Sequence, residues 1–189
     1  MMRFSVLLCL LFIFPRVTAR DEKGIHYIGG MYYGKGFHHF ATPMINKSIL
    51  TNYVGGRLAF SLGKNFRAGI MGGNIFKYYD SNTSHYKLGH GGITGEYVLK
   101  RNRFAAGAGL MLGGGKYRNL YVSELSGNTL NGYYREASFM FVVPFVTASL
   151  SLTNKLSLSL MAEHFNDALF TEKAGLSGTN IKFGILFNR

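Results

Sequence analysis

Strict alternation of apolar and polar residues near the C-terminus constrains the fold of this chain more than any other feature. In residues 156–163, a leucine or alanine at every second position alternates with Ser157, Ser159, Met161 and Glu163. Residues 181–187 repeat the pattern, with Ile or Phe at every odd position. Because successive side chains of a β-strand point to opposite faces, both segments are predicted to be strands with one lipid-like face and one polar or small face.

The rest of the chain extends this pattern to eight strands. Its 25 Gly, 16 Phe and 12 Tyr, with only 3 Pro, favour many strands separated by turns. Each predicted strand can cross a bilayer at a tilt, which takes about 9–11 residues. Residues 139–146 are apolar on both faces, so the sequence does not assign their sides. The predicted strands are residues 25–36, 50–62, 66–79, 85–100, 103–118, 134–152, 155–165 and 179–187.

The connections alternate between long and short. Tight turns are predicted at 63–65, 101–102 and 153–154, whereas the polar links near 37–49, 80–84, 119–133 and 166–178 are longer. Outer-membrane barrels have short periplasmic turns and longer outer loops. An even number of strands also places both termini of the barrel domain on the short-turn side. The sequence therefore predicts an all-β fold, an eight-stranded antiparallel up-and-down transmembrane β-barrel.

The N-terminus has the order of a secretory signal peptide. A basic start at Arg3 precedes an apolar run over residues 4–14, and Val17-Thr18-Ala19 suits cleavage after Ala19. The apolar run is well short of the roughly 20 residues that a membrane-anchoring helix needs. We therefore predict a signal peptide over residues 1–19 and a barrel over residues 20–189.

Cysteine content and charge limit the chemistry. Cys9, the only cysteine, lies in the predicted signal peptide, which excludes a disulfide framework, a thiol nucleophile and a cysteine metal cluster. We predict no metal site and no cofactor, since the His, Asp and Glu residues do not have metal-ligand spacing. The net charge of +12 favours anionic partners, and export favours lipopolysaccharide over nucleic acid. Basic residues near the long-loop ends are Lys35, Lys47, Lys77, Lys87, Lys116, Arg118 and Arg135.

Tyrosines gather near the long-loop ends of the predicted strands. Amphipathic rings form girdles where hydrocarbon meets headgroups, so the sequence predicts such a girdle there. The ten tyrosines in this position are Tyr32, Tyr33, Tyr53, Tyr78, Tyr79, Tyr86, Tyr117, Tyr121, Tyr133 and Tyr134.

Over residues 20–189 this pattern resembles the small eight-stranded outer-membrane β-barrel families. The resemblance implies a bacterial outer-membrane location, insertion by the barrel-assembly machinery and a monomer in contact with membrane lipid. Strand alternation points a set of charged residues into the lumen, either as a structural network or as the lining of a gated pore. These residues are Arg57, Arg67, His90, Glu96, Glu163 and Lys182.

The segment Glu163–Ala168 resembles the active-site stretch of the outer-membrane lipid A 3-O-deacylases. That family places a His and a Ser two residues apart, on one lipid-facing strand surface, so that the His can activate the Ser hydroxyl. Here His164 matches the family's His, Phe165 its aromatic residue and Ala168 its Ala, but Asn166 replaces the Ser. The resemblance makes His164 a candidate catalytic base without an identified nucleophile.

Three hypotheses of function follow from the sequence. The first is a non-catalytic outer-membrane barrel with a structural or surface-binding role, whose basic rim contacts lipopolysaccharide. The second is a lipid A-modifying esterase that uses His164. The third, a soluble exported barrel with an apolar ligand in its lumen, is disfavoured because Ser157, Ser159, Glu163 and Lys182 share the inner face.

Overall fold

Eight antiparallel strands, each paired with the next in the chain, close into a barrel through pairing of the first strand with the last. The computed structural model describes residues 26–41, 46–78, 84–126, 129–166 and 176–188. The predicted fold class is confirmed. The strands are β1 (Tyr27–Ala41), β2 (Asn46–Ser61), β3 (Phe66–Tyr78), β4 (His85–Arg101), β5 (Phe104–Ser126), β6 (Thr129–Ser151), β7 (Leu156–Phe165) and β8 (Leu176–Asn188).

Three short turns lie together at one end of the barrel, as the sequence predicts. They join β2 to β3, β4 to β5 and β6 to β7. Gly63 has a φ of 81° and Asn102 a φ of 54°, a left-handed conformation that Gly and Asn tolerate better than other residues. The residue types in these turns therefore fix where the strands end on this side of the barrel. The predicted signal peptide and the rest of residues 1–25 lie outside the described residues.

At the opposite end, five strands are longer than predicted, and β8 begins at Leu176 instead of at residue 179. β1 continues to Ala41 and β2 begins at Asn46, so most of the predicted loop 37–49 is strand. The predicted loop 119–133 is likewise wrong, because β5 runs to Ser126 and β6 begins at Thr129. Both segments lack the regular alternation of apolar and polar residues that marks a strand in the sequence. The other two loops were predicted near 80–84 and 166–178, and their residues 80–83 and 167–175 lie outside the described residues.

Side chains sort by position into an inner and an outer set. In β6, whose faces the sequence does not assign, Phe139, Phe141, Val143 and Phe145 point inward and are buried, and Met140 is 66% exposed. The outward set forms an apolar wall, which in soluble proteins would be an interaction surface and in a barrel faces lipid. Its members include Met31, Leu58, Ile70, Ile93, Leu110, Leu112, Met140, Val146, Leu158, Leu160, Phe183 and Ile185. No helix in the described part of the chain is long and apolar enough to cross a membrane.

The predicted tyrosine girdle is only partly correct. Tyr33, Tyr78 and Tyr134 are exposed on the outer wall. Four other tyrosines instead point inward and help to fill the lumen with aromatic and methionine side chains. Their positions follow the inward parity of their strands, which outweighs their nearness to the membrane surface. The inward four are Tyr32, Tyr53, Tyr86 and Tyr117.

Candidate functional site

The lumen contains two clusters of buried charge. In the cluster nearer the short turns, Nη2 of Arg57 on β2 donates to Oε2 of Glu96 on β4 over 2.7 Å. Nη1 of Arg67 on β3 lies 3.7 Å from the same oxygen, and the Thr147 hydroxyl donates to the other carboxylate oxygen. One carboxylate therefore faces two guanidinium groups.

The second cluster centres on Glu163, which is fully buried on β7. Nζ of Lys182 on β8 lies 2.5 Å from its Oε1, and Nδ2 of Asn180 donates to that oxygen over 2.8 Å. Oδ1 of Asn180 then accepts from Nε2 of His38 over 2.8 Å. The Lys182 ammonium also lies 3.6 Å from the centre of the Tyr53 ring, which favours the buried cation through the ring's negative face.

His90 packs against this second cluster. Its ring lies 5.1 Å from that of Phe165 and 6.0 Å from that of Phe141, and its Nε2 is 3.8 Å from Glu163. All six residues predicted to face the lumen do so. Since both carboxylates are paired and aromatic side chains fill the space between, the geometry favours the structural network over an open pore.

A different group of charges lies on the outer wall at the long-loop end. Lys87 on β4 stands beside Arg118 on β5 in register, and its ammonium lies 5.6 Å from the centre of the Tyr78 ring. Nε of Arg118 is 2.8 Å from Oε2 of Glu136 on β6, and Lys116 pairs with the other carboxylate oxygen. Two cations on β5 thus contact one acid, and a third cation lies on the adjacent strand β4. We call Lys87, Lys116, Arg118 and Glu136 the outer charge cluster.

The outer charge cluster lies above the hydrocarbon. Glu136 is 15 residues from the end of β6 at Ser151, which is about 50 Å along the strand and about 35–40 Å along the membrane normal at a typical tilt. The apolar band of such barrels is only about 25 Å tall. Hydrogen bonds from Lys116 and then Tyr134 lower the pKa of Glu136 to about 2. The carboxylate therefore stays ionised at neutral pH, and the cluster carries three positive charges against one negative charge.

The remaining predicted rim residues divide between the two faces. Lys35 points outward and donates to Oδ1 of Asn52 over 2.6 Å. Arg135 instead points toward the outer mouth of the lumen, where it lies 5.8 Å from the centre of the Tyr117 ring. Lys77 has the inward parity of buried Ile75, and the Lys47 side chain lies outside the described residues. Only part of the predicted basic rim is therefore available to lipid.

His164 points outward on β7, as the resemblance implies. Its Nδ1 lies 2.9 Å from Oγ1 of Thr179, its register partner on β8, and this distance is within the range for a nucleophile and its base. Asn166 is exposed at the strand end. Asp167, Ala168 and Glu172 lie outside the described residues. Among the residues that the structure describes, no three metal-ligating side chains form a group that could hold a metal ion.

Solved structures share this fold at low sequence identity. Neisserial surface protein A matches with a TM-score of 0.61 at 10% identity, over 87% of this chain and 99% of that one. Ail, the attachment invasion locus protein of Yersinia pestis, matches with 0.53 at 9% identity in its complex with the heparin analogue sucrose octasulfate, over 86% and 99%. The N-terminal β-barrel domain of Pseudomonas aeruginosa OprF matches with 0.51 at 10% identity, over 86% and 97%.

The chain has the fold of the small outer-membrane β-barrels. The predicted resemblance to these barrels is thus confirmed at the level of the fold, whereas the resemblance to the deacylases rests on the sequence alone. No protein-family model and no curated protein matches the chain by sequence.

Proposed function

We propose that this chain is a non-catalytic outer-membrane β-barrel whose outer charge cluster binds the phosphate groups of lipopolysaccharide. The observation that carries the proposal is the position of Lys87, Lys116 and Arg118 on adjacent strands, just above an apolar wall. Basic residues at headgroup height attract anionic lipid. Glu136 holds Lys116 and Arg118 in place and leaves a net charge of about +2 for a phosphate.

A groove on the wall below the cluster supports a lipid ligand. Along β4 and β5, Lys87 pairs with Arg118, Gly89 with Lys116 and Gly91 with Gly114. The outward-facing glycines of β2, β3 and β4 leave a depression of about 770 Å³, bounded by Leu58, Ile70, Ile93 and Leu112. A bound acyl chain would extend from the cations into this depression.

A polyanion ligand also has a parallel among the proteins of this fold. Ail of Yersinia pestis was solved with the heparin analogue sucrose octasulfate, a densely sulfated sugar. Sulfate and phosphate groups are recognised by the same charge-assisted hydrogen bonds from Lys and Arg. The parallel supports a polyanion ligand for the outer charge cluster, without identifying the sugar.

The test compares two variants that each lose two positive charges. Lys87→Gln/Arg118→Gln should weaken lipopolysaccharide binding at low salt by about tenfold or more, because it leaves only the neutral Lys116–Glu136 pair. Lys64→Gln/Arg101→Gln removes two charges at the short-turn end and should change the affinity less than about twofold. Binding would be measured by titrating labelled lipopolysaccharide into detergent-folded protein. Equal affinities of the wild type and the Lys87→Gln/Arg118→Gln variant would refute the proposal.

A lipid A esterase is the second candidate, and the contact between His164 and Thr179 favours it. The Thr179 hydroxyl supplies the nucleophile that Asn166 cannot. In such a reaction, Oγ1 of Thr179 attacks an ester carbonyl while His164 takes its proton. The ester C–O bond then breaks, the sugar alcohol leaves with that proton, and water hydrolyses the acyl-threonine to free the fatty acid and restore the Thr179 hydroxyl. Both side chains face the lipid, where the acyl ester of a membrane substrate would lie.

Mass spectrometry of lipid A, incubated with the folded barrel, separates the two candidates. If the barrel is an esterase, wild-type protein should release an acyl chain from lipid A. The control variant Ser177→Ala should release it as well, because the Ser177 hydroxyl donates to the Phe165 carbonyl and does not contact His164. His164→Ala and Thr179→Val should both abolish that release. If folded wild-type protein leaves lipid A intact, the esterase hypothesis is refuted and the binding function remains.

A further inference from the structure

An open cavity of about 850 Å³ lies at the short-turn end of the barrel. The described residues that line it include four side chains of positive charge and no carboxylate: Arg67, Lys100, Arg103 and Lys155. A site of this size can hold a small molecule. The cavity is separate from the outer charge cluster, which lies at the other end of the barrel and on its outer wall.

Strand parity directs Lys100 toward the cavity, and Lys155 lines it from the turn before β7. Lys100 follows Glu96 and Val98, both buried and inward-facing, at alternate positions of β4. Lys155 precedes inward-facing Ser157 by two residues. Arg101 falls on the opposite parity, with the lipid-facing Leu99. Basic residues at the same rim are thus divided between a set that faces the cavity and a set that does not.

Arg67 provides a donor group, its Nε–H, that no described residue accepts. Its side chain is only 11% exposed, and its Nε has no hydrogen-bond partner in the described part of the chain. The nearest acid, Glu96, is 3.7 Å away and is already paired with Arg57 and Thr147. An unsatisfied buried donor on a charged group is costly, so an anion in the cavity would stabilise Arg67.

Neutral polar groups complete the lining. Nδ2 of Asn188 donates to Oγ of Ser157 over 2.9 Å, and that hydroxyl donates to Oγ of Ser151 over 3.3 Å. Several cations beside hydroxyl and amide groups are the donor set that phosphate oxygens require. We infer that the short-turn end of the barrel is a binding site for phosphate groups, presented by a soluble oligophosphate or by a lipid headgroup of the adjacent leaflet.

The experiment uses two variants with the same loss of charge at the same end. Lys100→Gln/Lys155→Gln removes two cations that line the cavity, whereas Lys64→Gln/Arg101→Gln removes two that do not line it. Each is folded in a phosphate-free maltoside detergent. Tripolyphosphate is titrated in one arm and short-chain phosphatidylglycerol in the other, with calorimetry as the readout.

We expect Lys100→Gln/Lys155→Gln to weaken binding by about tenfold or more and Lys64→Gln/Arg101→Gln by less than about twofold. Such a difference with tripolyphosphate assigns the site to soluble ligands, and the same difference with phosphatidylglycerol alone assigns it to lipid headgroups. Equal losses in the two variants, or no binding of either probe, would overturn the inference.

Discussion

At the scale of single residues, the inner and outer faces of β4 differ in whether a glycine can be replaced by a larger residue. A Cβ on outward-facing Gly91 would meet the Met71 carbonyl oxygen at 3.5 Å, an ordinary contact. A Cβ on inward-facing Gly92 would lie 2.2 Å from the Leu112 carbonyl oxygen, where the backbone itself blocks it. The barrel therefore requires a glycine at position 92, whereas the glycine at position 91 keeps the wall open.

Alanine substitutions at these neighbouring positions should therefore differ. Gly91→Ala should change the free energy of unfolding by less than about 0.5 kcal/mol, and Gly92→Ala should lower it by about 2 kcal/mol or more. Urea unfolding of each variant in phospholipid vesicles measures the difference. Similar losses at the two positions would show that the Gly91 side of the wall is also tightly packed.

The buried pair of Glu163 and Lys182 gives a second prediction at this scale. Glu163→Gln leaves the Lys182 ammonium without a counter-ion in the lumen and should lower the free energy of unfolding by about 3–5 kcal/mol. Adding Lys182→Met to the Glu163→Gln variant removes the unpaired ammonium and should restore much of the lost free energy of unfolding.

A double-mutant cycle tests this coupling. The cycle consists of wild type, Glu163→Gln, Lys182→Met and the double variant, each unfolded in urea. Additive losses in the double variant would mean that the two residues do not stabilise each other.

At the scale of elements, the β5–β6 hairpin stands above the rest of the barrel. Leu120 and Tyr134 are register partners, and the hairpin extends beyond them to Ser126 and Thr129. Val122 of this hairpin is buried, and its amide donates to the Ser84 hydroxyl over 2.9 Å.

Replacing residues 121–133 with Asn-Gly should leave a folded barrel, because that dipeptide closes a two-residue hairpin between paired positions. We expect a loss of about 1–2 kcal/mol for the missing Val122 burial and its hydrogen bond. Heat-modifiable migration in SDS gels and urea unfolding measure both outcomes. A variant that cannot fold would show that the hairpin nucleates or braces the barrel.

The sequence predicted the elements well where membrane and lumen impose opposite polarities. Alternation located β7 and β8, and parity placed Glu163 and Lys182 in the lumen. The ends of β5 and β6 were missed because residues 119–133 show no regular alternation of apolar and polar residues. Polar residues there are compatible with either a strand or a loop, so no local sequence pattern distinguishes the two.

The candidate sites were less predictable, since each depends on register between strands. His164 was found from its own neighbourhood, but Thr179 lies 15 residues away and becomes a partner only through β7–β8 pairing. Lys87 and Arg118 become neighbours in the same way. The basic residues were visible in the sequence, whereas their grouping into separate sites required the closed sheet.

At the scale of the whole molecule, the packed lumen predicts a barrel that does not conduct ions. Buried Met111, Met161, Phe141 and Phe165 lie in the lumen beside the paired charges, and an eight-stranded barrel has room for little more than its own side chains. Wild-type protein in planar lipid bilayers should show no stable conductance at neutral pH. Reproducible step currents from purified protein would instead favour the gated pore.

The paired charges in the lumen also limit how this barrel can be made. Glu96 on β4 needs Arg57 from β2, a strand outside the hairpins that β4 forms with β3 and with β5. A sheet that entered the bilayer before closing would present these groups to hydrocarbon, at a cost of several kcal/mol for each exposed charge. We therefore expect the β2–β4 part of the sheet not to enter as separate hairpins, and its insertion to be coupled to the pairing of Arg57 with Glu96.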